Sequence, residues 1–476
     1  VIDSSIEVNM LPLSVLEEFP ALDSAVVDRI YQQAWKNLKR KIVVIDDDPT
    51  GVQTVHDVDV YTTYGGSEVL SAFKDENPVF YILTNSRGFS RQETELVHRK
   101  LARKIAEASR ESGKKYLIVS RSDSTLRGHY PLETEVLNDS LGPFDGEILI
   151  PFFPEGGRYT FDDIHYVKEP GGLVPAGRTE FAKDKTFGYV SSDLKDYVEE
   201  KTKGRFRRDD VVSISLEEIR AMDFRSIERK LMAVECFNKV IVNLVSYDDL
   251  KIFTVALINA LTKGKSFLFR SAAALVKVLG NISDKPLLEK DELVRANNQN
   301  GGLIIVGSHV SKTTRQLEAL KNSDLPFTFI EYDQYTVLED DGMKESRRVT
   351  DLANRLIAEG KNVVIYTKRE RMDVLEGSEL EQLVLAARIS SALTRCVEEL
   401  EVEPRFIVAK GGITSNDVGI HGLKARKSNV LGQILKGVPV WQLGPESRFP
   451  GLSYVIFPGN VGDEDSLVKA CRKLIV

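Results

Sequence analysis

Short apolar runs punctuate this chain, and each ends abruptly in a group of Asp, Ser, Gly or Pro. Ile42-Val43-Val44-Ile45 stops at three acids, and the run from Tyr116 to Ser120 stops at Arg121-Ser122-Asp123. Runs this brief, apolar on both faces and bounded by turn formers, read as buried strands of a parallel sheet. The pattern predicts strands over 42–46, 57–62, 79–83, 116–120, 147–150 and 239–244, and helices over 90–112, 131–140 and 249–263. Residues 1–40 read as a helical lead-in, because Val26, Val27, Ile30, Tyr31 and Ala34 recur at helical spacing.

A polar stretch from Asn281 to Asn300 then interrupts the alternation and reads as a linker. Beyond it the pattern restarts: Leu303-Ile304-Ile305-Val306 is a strand, 312–319 is helical, and strands follow near 327–331, 362–366 and 405–409. Leu380, Leu383, Val384 and Ala387 mark one face of a long helix before the strand at 405. No internal repeat or low-complexity tract is present. The expected fold class is α/β: two α/β domains with largely parallel sheets covered by helices, and an active site in the interdomain cleft. The expected boundaries are a lead-in at 1–40, a first domain at 41–285, a linker at 286–302 and a second domain at 303–476.

Composition narrows the function class. The 476 residues are 42% hydrophobic and 28% charged, ordinary for a globular protein and long enough for two cores. A net charge of −7 and a pI near 5.7 leave no phosphate-neutralising excess, which argues against a general nucleic-acid partner. Three scattered cysteines (Cys236, Cys396, Cys471) make neither a disulfide framework nor a CxxC metal site. With no apolar run of about 18 residues and no basic-then-apolar leader, the expectation is a cytoplasmic chain without a membrane partner.

The chemistry-bearing residues cluster where strands end, the edge at which open α/β sheets bind ligands. Asp46-Asp47-Asp48-Pro49-Thr50-Gly51 follows one strand and Ser122-Asp123-Ser124-Thr125-Leu126-Arg127-Gly128 another. Three adjacent acids repel one another unless a cation, a metal or a hydrogen-bond network compensates. In the second half, Gly307-Ser308-His309, Lys410-Gly411-Gly412-Ile413-Thr414 and Pro458-Gly459-Asn460-Val461-Gly462 each leave a strand. Glycines admit backbone N–H groups to an anion, so these turns look built for phosphate. None fits the P-loop or the dinucleotide fingerprint. Six histidines show no HxH or HExxH spacing, so no protein-held transition metal is expected. His309 lies beside the phosphate turns; Lys410 either reaches a phosphate or is a solvated lysine. The Gly/Pro-rich stretch Glu169–Gly177 reads as an ordered loop.

Taken in order, these motifs resemble the four-carbon acid sugar kinase family, ATP-dependent kinases of tetronates such as D-threonate, D-erythronate and 3-oxo-tetronates. The family's DD-x-TG resembles Asp47-Asp48-Pro49-Thr50-Gly51, its T-x-SR resembles Thr84-Asn85-Ser86-Arg87, and its DSTLRG stands complete at Asp123–Gly128. Arg121 stands where a lysine is common. P-x-FP-x-x-GR resembles Pro151–Arg158, and TEFA matches Thr179–Ala182. The GS, GG-x-T and closing SGNFG motifs resemble Gly307-Ser308, Gly411-Gly412-Ile413-Thr414 and Pro458–Gly462, the last with Pro458 and Val461 as departures. The stretch Asp48–Asp57 also departs from the commoner branch of the family.

The resemblance runs from about residue 40 to the C-terminus. It implies an N-terminal substrate domain and a C-terminal nucleotide domain, with ATP and Mg²⁺ as cofactors, a small sugar acid as partner and O4 as the phosphorylated atom. The candidate catalytic residues are Asp47 and Asp123, either of which could contact the substrate hydroxyl. Asp48, Arg87, Ser124, Arg127 and Arg158 are candidate substrate-binding residues, because a guanidinium fork matches a carboxylate. Ser308, Gly411, Gly412, Ile413, Thr414, Gly459, Asn460 and Gly462 are the candidate nucleotide-binding residues. The unpaired first 40 residues offer a surface for a homo-oligomer. The competing reading is a non-catalytic regulator that binds sugar acid or nucleotide, which the packed acids disfavour. A dehydrogenase is disfavoured by the missing GxGxxG.

Overall fold

Strands buried along their whole length need cover on both faces, and the arrangement that supplies it is the doubly wound one. The computed structural model describes residues 10–370, 379–459 and 461–475. The chain divides into two compact units: Val1–Asp47 with Tyr64–Ser283, and Asp48–Thr63 with Asp284–Val476.

The first unit holds a parallel sheet in the order Val79–Leu83, Lys41–Asp46, Tyr116–Arg121, Phe267–Ser271, Gly146–Ile150, Asn238–Val242, Val212–Ile214. Lys41–Asp46 is buried at every position. The chain leaves this strand, builds Val79–Leu83 on one side, then returns to place Tyr116–Arg121 on the other. That reversal is the topological switch point of the sheet, where the strand ends diverge and leave a crevice. Helix Arg91–Ser112 opens on a reciprocal Ser90/Glu93 capping box and ends at Gly113 with φ 68°. The lead-in helix Ser24–Trp35, capped by Asp23, buries Val27, Tyr31 and Ala34. It docks on its own unit: Tyr31 donates to the Val278 carbonyl (2.5 Å) and Trp35 Nε1 to that of Leu279 (2.8 Å).

The second unit repeats the principle. Phe327–Tyr332, Asn362–Thr367, Leu303–Val306, Ile407–Lys410 and Ser453–Phe457 are parallel neighbours in that order. Val438–Leu443 and Lys427–Leu435 extend the sheet antiparallel. The last partner comes from far away in sequence: Val58–Tyr61 pairs antiparallel with Lys427–Val430. Asp57 N–H donates to the Val430 carbonyl (2.7 Å) and Gln53 Nε2 to that of Gly437 (3.3 Å), so the whole insert 48–63 is anchored here. The switch point of this unit lies where Leu303–Val306 and Ile407–Lys410 end side by side.

Several expectations are revised. The polar stretch after Asn281 is not a bare tether, since it buries Leu288, Leu293 and Val294 in the core of the second unit and forms the short helix Lys290–Leu293. The stretch Glu169–Gly177 contains the strand Gly172–Pro175, third member of an antiparallel meander with Arg158–Phe161 and Ile164–Glu169. Helix Glu379–Glu398 exists, but its buried face carries Leu385, Ile389, Ala392, Leu393, Cys396 and Val397, while Val384 and Ala387 point outward. Strand Phe267–Ser271 is an addition to the expected strands. Among the described residues no helix is long and apolar enough to cross a membrane.

Burial of Leu288 makes the stretch after Asn281 part of a core. Leu288→Ala should therefore destabilise the second unit by about 2–5 kcal/mol, read as an earlier transition in chemical denaturation. A freely tethering segment would show no change.

Candidate functional site

Adjacent carboxylates at the end of a central strand must each be compensated, and here the compensation differs from one to the next. Asp46 accepts from Arg121 Nη1 (3.1 Å) on the neighbouring strand, while its carbonyl takes the Thr84 amide and hydroxyl. It therefore closes the strand end. Asp47 accepts from Arg87 Nη2 (2.6 Å) and Nε (3.3 Å) and from Ser122 Oγ (2.6 Å). Asp48 accepts on Oδ1 from the Thr50 amide (2.7 Å) and hydroxyl (2.5 Å), and lies in the second unit.

The loop 122–128 is the most elaborately held part of the first unit. Leu126 sits at φ 67°, a conformation costly for a residue with a Cβ, and Gly128 at φ 128°. A Cβ on Gly128 would lie 2.7 Å from both Arg270 Nη2 and Ser122 Oγ, so only glycine lets the chain pass. Three side chains pin the loop carbonyls from outside: His165 Nε2 to Ser124 (2.8 Å), Tyr189 OH to Thr125 (2.7 Å) and Tyr197 OH to Leu126 (2.9 Å). Because the Ser124 carbonyl can only accept, His165 carries its proton on Nε2, and Nδ1 accepts from Thr160 Oγ1 at 3.0 Å. Burial lowers the His165 pKa to about 4, so the ring is neutral at pH 7.

Inside the loop, Asp123 accepts from the Thr125 hydroxyl and from Arg127 Nε (2.6 Å). Burial opposes its charge, but Arg87 and Arg127 outweigh burial and hold its carboxyl well below the usual carboxylate range. Asp123 is thus a permanently ionised acceptor and a weak base. Phe181 lies under two guanidinium groups, with Arg127 Cζ 5.0 Å and Arg158 Cζ 5.7 Å from the ring centre. Arg158 Nε is buried without a hydrogen-bond partner, and burial lowers the pKa of the group despite Asp123 nearby. Ser124 is half-buried beside Asp123. The structure therefore gathers Asp47, Arg87, Asp123, Ser124, Arg127 and Arg158 at one strand edge, while Asp48 belongs to the other unit.

Sequence reasoning missed the second layer. Arg270, from the unexpected strand, donates to Ser120 Oγ (2.9 Å), Ser122 Oγ (2.8 Å) and Glu133. Glu133 also accepts from Ser86 Oγ (2.6 Å) and lies 3.8 Å from His98 Nε2. Burial alone would raise the Glu133 pKa, yet Arg270, His98 and these hydrogen bonds hold it at about 2. A small hollow above this layer is lined by Ser122, Asp123, Leu126, Arg127, Tyr197 and Arg270. The available signal was Phe267-Leu268-Phe269-Arg270-Ser271, an apolar run ending in a charge and a hydroxyl like its neighbours.

In the second unit three glycine turns close on Ser308. A Cβ on Gly307 would lie 2.5 Å from Thr414 Oγ1, one on Gly411 (φ 120°) 2.9 Å from Ser308 Cβ, and one on Gly459 3.6 Å from Ser308 Oγ. Thr414 is buried and Ile413 is exposed. A Cβ on Gly412 would lie 3.9 Å from Asp48 Oδ2, so the acid of the insert faces the glycine pair. Arg369 Nη2 donates to the Ser308 carbonyl (2.6 Å), and His309 Nε2 donates to that of Lys368 (3.1 Å), which gives this histidine a structural contact. A Cβ on Gly462 (φ 82°) would collide with the side chain of Ser466, the first residue of helix Ser466–Ile475. Asn460 lies outside the described residues. Lys410 is fully buried rather than solvated.

Known proteins bear on this geometry. Residues 42–279 match a sugar-binding N-terminal domain family and residues 303–467 a nucleotide-binding C-terminal domain family. A D-erythronate kinase of Heliobacterium modesticaldum is 30% identical over 151 residues, covering 30% of this chain and 32% of that protein, so the match spans about a third of the relative. Among solved structures, a protein described as a putative tRNA synthase from Salmonella typhimurium LT2 aligns with TM-score 0.65 at 16% identity, over 91% of this chain and 99% of its own. A Haemophilus influenzae protein aligns with TM-score 0.59 at 15% identity, over 91% and 100%. At such identities these two show the fold alone.

The depressed Glu133 pKa makes a prediction about acid stability. Its stabilisation is fully present above the ordinary value of 4.5 and is lost as pH falls toward about 2. Glu133→Gln removes the carboxylate that faces the buried Arg270, so it should cost about 3–5 kcal/mol at pH 7. The variant should also show a shallower stability loss than wild type across that acid window, followed by circular dichroism. Parallel acid profiles would mean Glu133 is not held ionised.

Proposed function

The chain belongs to the four-carbon acid sugar kinase family, and on that premise we propose that it transfers the terminal phosphoryl group of Mg-ATP to a hydroxyl, O4, of a four-carbon sugar acid such as D-threonate, D-erythronate or a 3-oxo-tetronate. The observation that supports this reading most is the constellation at the first unit's switch point: Arg87, Arg127 and Arg158 around Asp47 and the ionised Asp123. A sugar acid presents a carboxylate and several hydroxyls. Guanidinium groups meet the carboxylate, and ionised carboxylates accept from the hydroxyls.

The loose transition state of phosphoryl transfer asks little of a base and much of positioning. Asp123, a weak base fixed by Arg127 and Thr125, suits that demand by orienting the attacking oxygen. Asp47, crossed by Arg87 and Ser122, is the second acceptor and the candidate to receive the hydroxyl proton late in transfer. Arg127 and Arg158, stacked on Phe181, are stiffened against reorientation and anchor the substrate carboxylate. The pinned loop 122–128 keeps Ser124 and Arg127 in register.

The triphosphate fits the glycine turns of the second unit, where side chains are absent at Gly411, Gly412 and Gly459 and backbone amides can approach oxygen atoms. Mg²⁺ binds by one or two carboxylates plus phosphate oxygens and water. Asp48 beside Gly412 is the carboxylate that fits this role. Bound there, the ion would neutralise phosphate charge as it develops.

A coupled ADP-release assay with Mg-ATP over D- and L-threonate, erythronate and 3-oxo-tetronates checks the proposal. Saturable turnover on at least one member is expected, and Arg127→Ala should lower kcat/KM about a hundredfold or more. Nucleotide binding with no acid-dependent ADP release anywhere in the panel would instead favour a regulator.

A further inference from the structure

Lys410 ends the strand Ile407–Lys410 with a side chain wholly out of solvent. Its Nζ donates to the carbonyls of Pro458 (2.6 Å) and Gly459 (3.3 Å) and lies 4.1 Å from the centre of the Phe457 ring. Among the described residues, the charged group that acts on it is another cation, Lys312 of helix Ser311–Lys321. Among the described residues, the strand Ser453–Phe457 and the turn after it offer Lys410 the Phe457 ring and the neutral carbonyls of Pro458 and Gly459. A buried ammonium facing dipoles and a second ammonium is costly unless an anion arrives.

The contact also fixes a peptide plane. The Pro458–Gly459 bond is not among the cis peptides of this chain, and in a trans peptide the C=O and N–H point in opposite directions. With the Pro458 carbonyl turned inward to Lys410, the Gly459 N–H is turned away from it. Thr313 Oγ1 donates to the Gly459 carbonyl at 3.4 Å and braces the same turn. We infer that Lys410 is a positioning residue of the nucleotide site, holding the Gly459 amide outward as a donor to phosphate and supplying the positive charge behind it. This rests on the nucleotide-binding reading of the second unit.

Burial and Lys312 lower the Lys410 pKa to about 7, so a bound phosphate, by stabilising the ammonium, raises it again. Above a pH of about 7.5 the phosphate groups of ADP are fully ionised and contribute no slope of their own. ADP binding to the full chain, measured by calorimetry, should therefore weaken by up to about tenfold between roughly pH 7.5 and 9. Lys410→Met should bind ADP about tenfold more weakly at pH 7.5 and lack that pH slope, with the affinity for the sugar acid unchanged. A merely structural lysine would give a weaker binder with the wild-type slope, and that outcome overturns the inference. So does a flat wild-type profile, which requires no variant and decides the matter even if Lys410→Met fails to fold. A wild-type chain that binds no ADP at all overturns the nucleotide reading and this inference together.

Discussion

Buried carboxylates at the end of the strand Lys41–Asp46 are the constraint on which the first unit turns. Asp46, Asp47 and Glu133 are each nearly inaccessible to water, and an ionised carboxylate there is untenable without a partner. Arg121, Arg87 and Arg270 supply the partners, each from a different segment of the chain. Ser122 joins two of these pairs by donating to Asp47 while accepting from Arg270. The pairs set where each segment can lie: moving any one of them exposes a charge to a medium that cannot solvate it.

That rigidity is what the loop 122–128 is built against. Its backbone adopts a conformation that Leu126 disfavours, and the strain is offset by hydrogen bonds from His165, Tyr189 and Tyr197. A neutral histidine suits this task better than a charged one, because it can donate to a carbonyl while accepting from Thr160 without adding charge beside Arg158. The loop thus presents Asp123, Ser124 and Arg127 from a frame that solvent does not rearrange. Phosphoryl transfer rewards such a frame, since the reaction is governed by alignment more than by acid–base strength.

The second unit achieves order by the opposite means, with missing side chains in place of paired charges. Gly307 packs against Thr414 and Gly411 against Ser308 at distances a Cβ would forbid, and Gly459 lies beside the Ser308 hydroxyl. The insert 48–63, carried over from the first half of the sequence, adds a strand to this sheet and brings Asp48 to Gly412. Neighbouring acids in sequence therefore serve different neighbourhoods: Asp47 is fixed by arginine and Asp48 by its own turn.

The sequence by itself determined the two α/β layers, because a strand covered on both faces must be apolar throughout, and such runs are visible without a structure. Lys41–Asp46, Val79–Leu83 and Leu303–Val306 lie within a residue of their expected places. The strand-end motifs around Asp47, Asp123 and Gly411 were equally legible, since polar groups at the end of an apolar run have few other uses. Hidden were the meander at 158–175, whose strands of four to six residues are too short to show a period, and the outward turn of Val384 and Ala387. Hidden too were Arg270, Glu133, His165 and the burial of Lys410, for these depend on partners far away in sequence. Only the tertiary structure decided that Asp48 lies with the glycine turns and that Asp123 is ionised. Periodicity reports what a residue prefers to be near, whereas charge state and pairing depend on which distant residue is actually there.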